Sequence, residues 1–174
     1  DKVNTGVALV TEKFADAVVA QREFHGQEWV TVKPEAVHDI VGGLKDEAGF
    51  DLLDDLTAAD YLDRPEVEGR FRVVYQFLAT SRAEVFRLKA LVADDTVEVQ
   101  TVSDLYPVAD WLEREVFDMF GIRFTDHPDL RRMLMPDDWE GYPCRRDYDV
   151  RGPIPIEDPM REGDFERKVA ADPS

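Results

Sequence analysis

The sequence predicts an α+β fold: an antiparallel sheet of hairpin-connected strands with flanking helices, followed by a long extended C-terminal tail. Three observations predict it. Apolar side chains recur at every second residue from Phe71 to Phe77 and again from Phe86 to Val92, with links short enough for hairpins. Stretches with helical spacing lie before and after those strands. Seven of the 10 prolines fall after Gly121, at 128, 136, 143, 153, 155, 159 and 173. Proline at that density excludes long helices and interior strands from much of this region.

The elements follow in order. Thr11 is placed to cap a helix over Glu12 to Gln21, with Val10, Phe14 and Val18 on one side. Gly26 breaks that run, and Glu28 to Lys33 then looks like a short strand with Trp29, Val30 and Val32. Pro34 suits the first turn of a second helix, Pro34 to Glu47, with Val37, Ile40, Val41 and Leu44 at helical spacing. Leu52 to Ala58 is the next strand. The two alternating strands come after it, joined across Thr80 to Glu84, and Val97 to Thr101 closes the set across Asp94-Asp95. The spacing then predicts a helix over Pro107 to Phe120, with Gly121 just past its end. Residues 1–120 are expected to form the α+β domain and residues 121–174 the tail.

The last helix carries an unusual load of charge. Asp110, Arg114 and Asp118 are spaced for i, i+4 ion pairs. Glu115 falls between Trp111 and Met119, at the margin of the apolar stripe set by Leu112, Val116 and Phe120. A carboxylate there is costly if buried unpaired, so an arginine partner is expected for it, from the tail or from another chain. Every cation between Arg114 and Arg167 is arginine. Arginine makes bidentate pairs with carboxylates and stacks on aromatics, as interfaces require, although a general preference for arginine over lysine also runs through the chain. Trp139 and Tyr142 add apolar area to this segment and suit either an interface or the chain's own sheet.

Composition narrows the function classes. With 174 residues and 44% hydrophobic residues, the chain is long and apolar enough for one real core plus a tail. Lys and Arg total 21 against 38 Asp and Glu, a formal charge of −17, which disfavours nucleic acid and anionic lipid as partners. No apolar run approaches the roughly 20 residues of a membrane helix. No signal-peptide pattern is present, although the first residue is Asp1 rather than Met, so a preceding segment stays open. The single cysteine, Cys144, forbids an internal disulfide or an all-cysteine cluster and fits a reducing, cytoplasmic setting.

Chemical motifs are largely missing. Neither standard nucleotide-binding glycine loop occurs, nor H-E-x-x-H, nor C-x-x-C. His25, His38 and His127 are scattered. An oxygen-rich metal site from Glu113, Glu115, Asp118 and His127 is the sharpest catalytic hypothesis, but residues 113 and 115 point about 200° apart on a helix. Structural pairing is the stronger reading. Asp137, Asp138 and Glu140 after Pro136 look like a turn or a helix start. Cys144 precedes Arg145-Arg146, which would lower its thiol pKa, yet a small apolar contact in a docked segment explains it better.

From Trp111 to Asp147 the sequence closely resembles the 30 kDa (C-type) family of respiratory complex I subunits, complex I being the proton-translocating NADH:quinone oxidoreductase. The family signature begins Glu113-Arg114-Glu115, Val116-Phe117, Asp118, Met119-Phe120; His127, Arg131, Met133 and Leu134 fill its later positions. The stretch LMPDDWEGYPCRRDYD is similar to the family's G-H-P-L-R-K-D continuation, with Tyr142 for His, Cys144 for Leu and Arg146 for Lys. FDLLDDLTAADYL and the strand from Phe71 to Ala79 extend the likeness upstream, and it fades after Gly152.

The resemblance implies a scaffold subunit of the peripheral arm, at the cytoplasmic face of the cell membrane. Its tail would dock on the hydrogenase-like subunit that forms the quinone site and on neighbouring iron–sulfur subunits. No catalytic, cofactor or metal residue is expected here, and FMN, iron–sulfur clusters and quinone belong to the partners. Expected contact residues are Glu113, Arg114, Glu115, Asp118, His127, Arg131, Arg132, Trp139, Arg145 and Arg146. Two alternatives stand beside this: an equivalent subunit of a membrane-bound hydrogenase or quinone reductase lacking the NADH module, and a stand-alone metal enzyme using Glu115, Asp118 and His127.

Overall fold

Asn4 starts the first element. Its side chain accepts hydrogen bonds from the N–H groups of Gly6 and Val7, so helix α1 runs Thr5–Lys13. The structure, a computed structural model, describes residues 4–64, 68–94 and 98–149. The helix expected over Glu12 to Gln21 is thus displaced. Asn4 is the stronger cap, whereas the Thr11 hydroxyl bonds back to the carbonyls of Val7 and Ala8 from inside α1. The β-branched pair Val18-Val19 then opens a strand, β1 (Val18–Phe24).

β1 pairs antiparallel with β2 (Gln27–Val32). The two residues between them, His25 and Gly26, both have positive φ, 53° and 75°. That is the backbone of a primed two-residue turn, matched to the twist of a hairpin. A one-turn 3₁₀ segment at Pro34–Ala36 leads into helix α2 (Val37–Asp46), whose Val37, Ile40, Val41 and Leu44 are fully buried.

Strand β3 (Leu52–Asp60) pairs antiparallel with β4 (Phe71–Ala79), and β4 forms the expected hairpin with β5 (Glu84–Val92). The sheet order is β1-β2-β5-β4-β3, and β2 lies parallel to β5. The sheet is therefore mixed: a β1–β2 hairpin joined through one parallel pair to the β3-β4-β5 meander. The hairpin link expected at Asp94-Asp95 lies partly outside the described residues. Strand β6 (Val99–Gln100) instead pairs parallel with β7 (Phe124–Thr125), beyond the third helix. Residues 95–97 lie outside the described segments.

One face of the sheet carries the core. Phe71, Val73, Tyr75, Phe77 and Ala79 of β4 and Phe86, Leu88 and Ala90 of β5 are fully buried on this face, where α1 meets Phe86. The approach is close: a Cβ on Gly6 would stand 2.5 Å from the Phe86 ring. Helix α3 (Ala109–Phe120) packs across β3. The core continues past residue 120, since Ile122 and Phe124 join the same buried cluster. From Asp126 to Asp149 the described chain has turns but no helix or strand. Among the described residues no helix is long and apolar enough to cross a membrane.

Candidate functional site

Helix α3 is where the charged residues converge. Its buried residues are Ala109, Glu113, Arg114, Val116 and Asp118. The inward face is thus rotated from the one its apolar spacing suggested. Trp111 is 58% exposed, and Glu115 is exposed with no ion pair among the described residues. Among the described residues the tail supplies no arginine to Glu115, and the buried acids are Glu113 and Asp118 instead. The expected Arg114–Asp118 pair does not form either.

Asp118 is the hub of the C-terminal half. Its side chain is fully buried. Oδ2 accepts from the N–H groups of Met133 (3.0 Å), Leu134 (2.7 Å) and Met135 (2.9 Å), and Oδ1 accepts from Arg132 Nη1 at 2.7 Å. Burial pushes this carboxyl's pKa up, but the hydrogen bonds from Met135, Arg132, Met133 and Leu134 together outweigh it and hold the pKa below its usual value. Arg132 also donates to the carbonyls of Trp139 (3.1 Å) and Gly141 (3.0 Å) and stacks on Tyr142. Arg114 donates to the carbonyls of Arg131 and Arg132 while lying over the Trp111 ring, 5.0 Å from its centroid. Arg131 itself pairs in solvent with Asp129.

The N-terminal half buries Glu113 completely. Oε1 accepts from the Val102 N–H at 2.8 Å and Oε2 meets the Thr101 hydroxyl. These donors are neutral, so burial prevails and raises the pKa to about 7. His127 packs alongside with no side-chain exposure, its Nε2 3.8 Å from Glu113 Oε2. Its Nδ1 accepts from the Asp129 N–H and its Nε2 faces the Asp110 carbonyl at 3.1 Å. With Nδ1 accepting, Nε2 is the nitrogen that donates toward Asp110.

After α3, Gly121 adopts φ 74° and its N–H closes the helix on Phe117. A Cβ here would lie 2.5 Å from Tyr142 and 2.6 Å from Arg145 Nη2. The Cys144 N–H donates to the Met119 carbonyl, and Arg145 Nε donates to that of Phe120, with its guanidinium over Tyr142 and Phe71. The Arg146 N–H binds Asp60, which also pairs with Arg70, and Arg70 reaches Asp147 at 2.6 Å. Trp139 stacks on Tyr148. The described tail therefore lies on its own domain through Asp147.

The catalytic hypotheses find no geometry. Asp118 has its oxygens taken by Arg132 and backbone donors, Glu115 points to solvent, and His127 is enclosed with Asp110 and Glu113. No group of three or more His, Cys, Asp or Glu among the described residues is arranged to hold a metal ion. Asp137 and Asp138 are exposed in a turn. The Cys144 thiol has its pKa raised, by burial first and by Glu115 second, so the neighbouring arginines do not activate it.

This arrangement has relatives. A family model described as "Respiratory-chain NADH dehydrogenase, 30 Kd subunit" matches residues 30–153. The chain belongs to this family. It is similar to the C-type subunit of NADH-quinone oxidoreductase from Geobacter sulfurreducens, with 46% identity over 86% of this chain and 91% of that protein. The corresponding NADH-quinone oxidoreductase subunit from Rhodobacter capsulatus is 38% identical over 99% of this chain and 84% of its own length. Among solved structures, a trypsin-resistant fragment of Nqo5 superposes with a TM-score of 0.64 at 31% identity, covering 72% of this chain and 99% of the fragment. A chain of a membrane-bound sulfane sulfur reductase, an archaeal respiratory membrane complex, superposes with a TM-score of 0.69 at 26% identity, covering 90% of this chain and 93% of that one.

The family signature therefore falls on the buried network. Glu113, Arg114 and Asp118 are its interior anchors, while Glu115 and Arg131 face outward. Sequence reasoning missed the roles of Thr101 and of the Met133–Met135 backbone, because backbone donors and a lone hydroxyl leave no mark in a sequence.

Proposed function

We propose that this chain is a non-catalytic scaffold subunit of NADH-quinone oxidoreductase. It sits in the peripheral arm at the cytoplasmic face of the membrane and fixes the position of the subunit that forms the quinone site. One observation carries this: each buried charged residue of the family signature is consumed in holding the chain's own backbone. A hydrogen-bonded network of this kind supplies rigidity. Electron transfer and a closed quinone cavity both need subunits held in fixed relative positions, and a rigid clamp supplies that without doing chemistry. FMN, iron–sulfur clusters and quinone then reside in the partner subunits, and membrane contact comes only through the complex.

Exposed positions on the outer side of α3 and the tail are the partner contacts. Trp111, Glu115, Arg131 and Leu134 lie there in the open. The test is to isolate the complex from cells carrying Glu115→Ala or Arg131→Ala. Reduced recovery of assembled complex with unchanged turnover per assembled complex supports a scaffold. Full assembly with lost turnover would sink it.

A second reading is an equivalent subunit in a reductase lacking the NADH module, favoured by the likeness to the sulfane sulfur reductase chain. The subunits that co-purify decide between them: flavin- and NADH-binding chains belong only to the first.

A further inference from the structure

The sheet has two faces, and the helices cover one. On β4 the side chains of Arg72, Val74, Gln76 and Leu78 point away from the core. The register carries that open face across all five strands. One row runs Arg22, Trp29, Arg87, Gln76, Asp55, and the next runs Ala20, Thr31, Lys89, Val74, Thr57.

Four cations therefore share one face in a chain of formal charge −17: Arg22 is exposed, Arg87 and Lys89 are half-buried, and Arg72 is buried. None of them makes an ion pair among the described residues. Arg87 donates to Gln76 Oε1 at 2.9 Å, Arg72 donates to the carbonyls of Phe71 and Glu68, and Lys89 Nζ sits 4.1 Å from the Trp29 ring centroid. Lys89 feels the other three. The Lys89 pKa is lowered by burial first and then by the charges of Arg87, Arg72 and Arg22. Asp54 and Asp55 on β3, which share a shallow depression with Arg87 and Lys89, and Glu68 beside Arg72 are acids at its borders.

An apolar row adjoins the cations. Phe24, Val85 and Leu52 are 66%, 49% and 41% exposed, and Leu78 lies between the last two. Half of the large hydrophobic side chains that the described residues expose thus stand on this face. A shallow cavity of about 490 Å³ opens among Arg22, Trp29, Thr31, Tyr61, Arg72 and Lys89. Gathering like charges on a sheet face with exposed aliphatics costs stability, and that cost is offset when a complementary surface covers them.

We propose that this open face docks an acidic, partly apolar segment of another subunit of the complex. The proposal rests on the scaffold reading above and names one surface and its partner's chemistry. A carboxylate-bearing segment supplies anions for Arg22, Arg87 and Lys89 and side chains for Phe24, Val85 and Leu52. A membrane or a nucleic acid is an extended polyanion, which the rest of this strongly acidic chain repels.

Lys89 supplies the test, because it is the one lysine on this face. In the assembled complex, a zero-length carbodiimide coupler joins an amine to a carboxylate that touches it. The expected product links Lys89 to an Asp or Glu of a different subunit. Acylation of Lys89 by an amine reagent is expected to be about tenfold slower in the complex than in the isolated chain, as for a residue inside a well-packed interface. Linkage only to residues 150–174 of the same chain, linkage only to a second copy, or equal labelling in both states overturns the proposal.

Arg87→Glu with Lys89→Glu is expected to lower recovery of assembled complex about tenfold, as an opposed charge pair does, while the isolated chain keeps its unfolding midpoint. Unchanged recovery overturns the proposal as well. Failure of the chain to co-purify with redox subunits would defeat the scaffold reading itself. Co-purification with Lys89 fully reactive defeats the docking face alone.

Discussion

The two halves of α3 each bury a carboxylate, and they treat it by opposite chemistry. At Asp118 the charge is kept. A guanidinium and three backbone N–H groups surround it, and its pKa falls. At Glu113 the donors are a hydroxyl and one N–H, with the His127 imidazole beside them, and the pKa rises to about 7. The difference lies in what each acid holds. Asp118 fastens an irregular segment that has no ladder of its own, so its backbone donors need an anion. Glu113 fastens the short β6 region to the helix, a junction already supported by β7 and buried apolar contacts.

Removing the charged hub should do the most damage. Asp118→Ala leaves Arg132 without its anion and three backbone N–H groups unpaired. The expected cost is about 3–5 kcal/mol, as for breaking a buried pair by deleting one partner. Chemical denaturation of the isolated chain measures it. Trypsin should also cut at Arg131 or Arg132 in the variant well before the parent. A loss below about 1 kcal/mol would show that the tail is not held by this carboxylate.

The neutral half should respond to pH instead. Glu113 has a folded pKa near 7 and an ordinary unfolded value near 4.5. The unfolded chain thus loses its proton first, and ionisation penalises the folded form as pH rises above about 4.5. The penalty grows until pH passes about 7 and then levels off, at on the order of 3 kcal/mol. Glu113→Gln keeps the shape and cannot ionise. The variant is expected to gain stability over the parent at pH 8 and to lose most of that advantage at pH 5. A constant offset across that range would mean that Glu113 is not held neutral by burial. Asp118 has the opposite sign: its depressed pKa contributes stability above the unfolded value, lost as pH falls through the folded one.

Gly121 is the hinge on which both halves depend for their relation to the tail. Gly121→Ala adds a Cβ at φ 74° against Tyr142 and Arg145. Backbone strain and the forced shift of two packed side chains together cost about 2 kcal/mol. The loss should appear as weaker protection of residues 122–149 from proteolysis, with the sheet unaffected.

Much of this was legible in the sequence. Period-two alternation placed β4 and β5, and Pro107 with Gly121 bracketed α3. Of the β1–β2 hairpin only β2 was expected, because Val18 and Phe14 also fit a helical stripe and Gly26 suits a helix break as well as a turn. The parallel β2–β5 pair was missed because strand partners distant in the chain leave no local trace. The phase of α3 was misjudged for a physical reason. Three of its five buried residues are charged, so the apolar stripe alone does not mark the inward face. A buried acid is visible only once its donors are, and here they come from Thr101, Val102 and the Met133–Met135 backbone.

The smallest expected effect sharpens the comparison furthest. Glu115 lies on the same helix, between the two buried acids, and shares none of their chemistry. It is exposed and has no ion pair among the described residues. Glu115→Ala should change the stability of the isolated chain by no more than about 0.5 kcal/mol, the range of surface substitutions away from special features. The same change in the assembled complex is a different experiment. A residue that does nothing for its own fold yet lowers recovery of the complex when truncated must be touching another chain. If both measurements are flat, the outer side of α3 is solvent in the complex too, and the partner contacts lie elsewhere on the subunit.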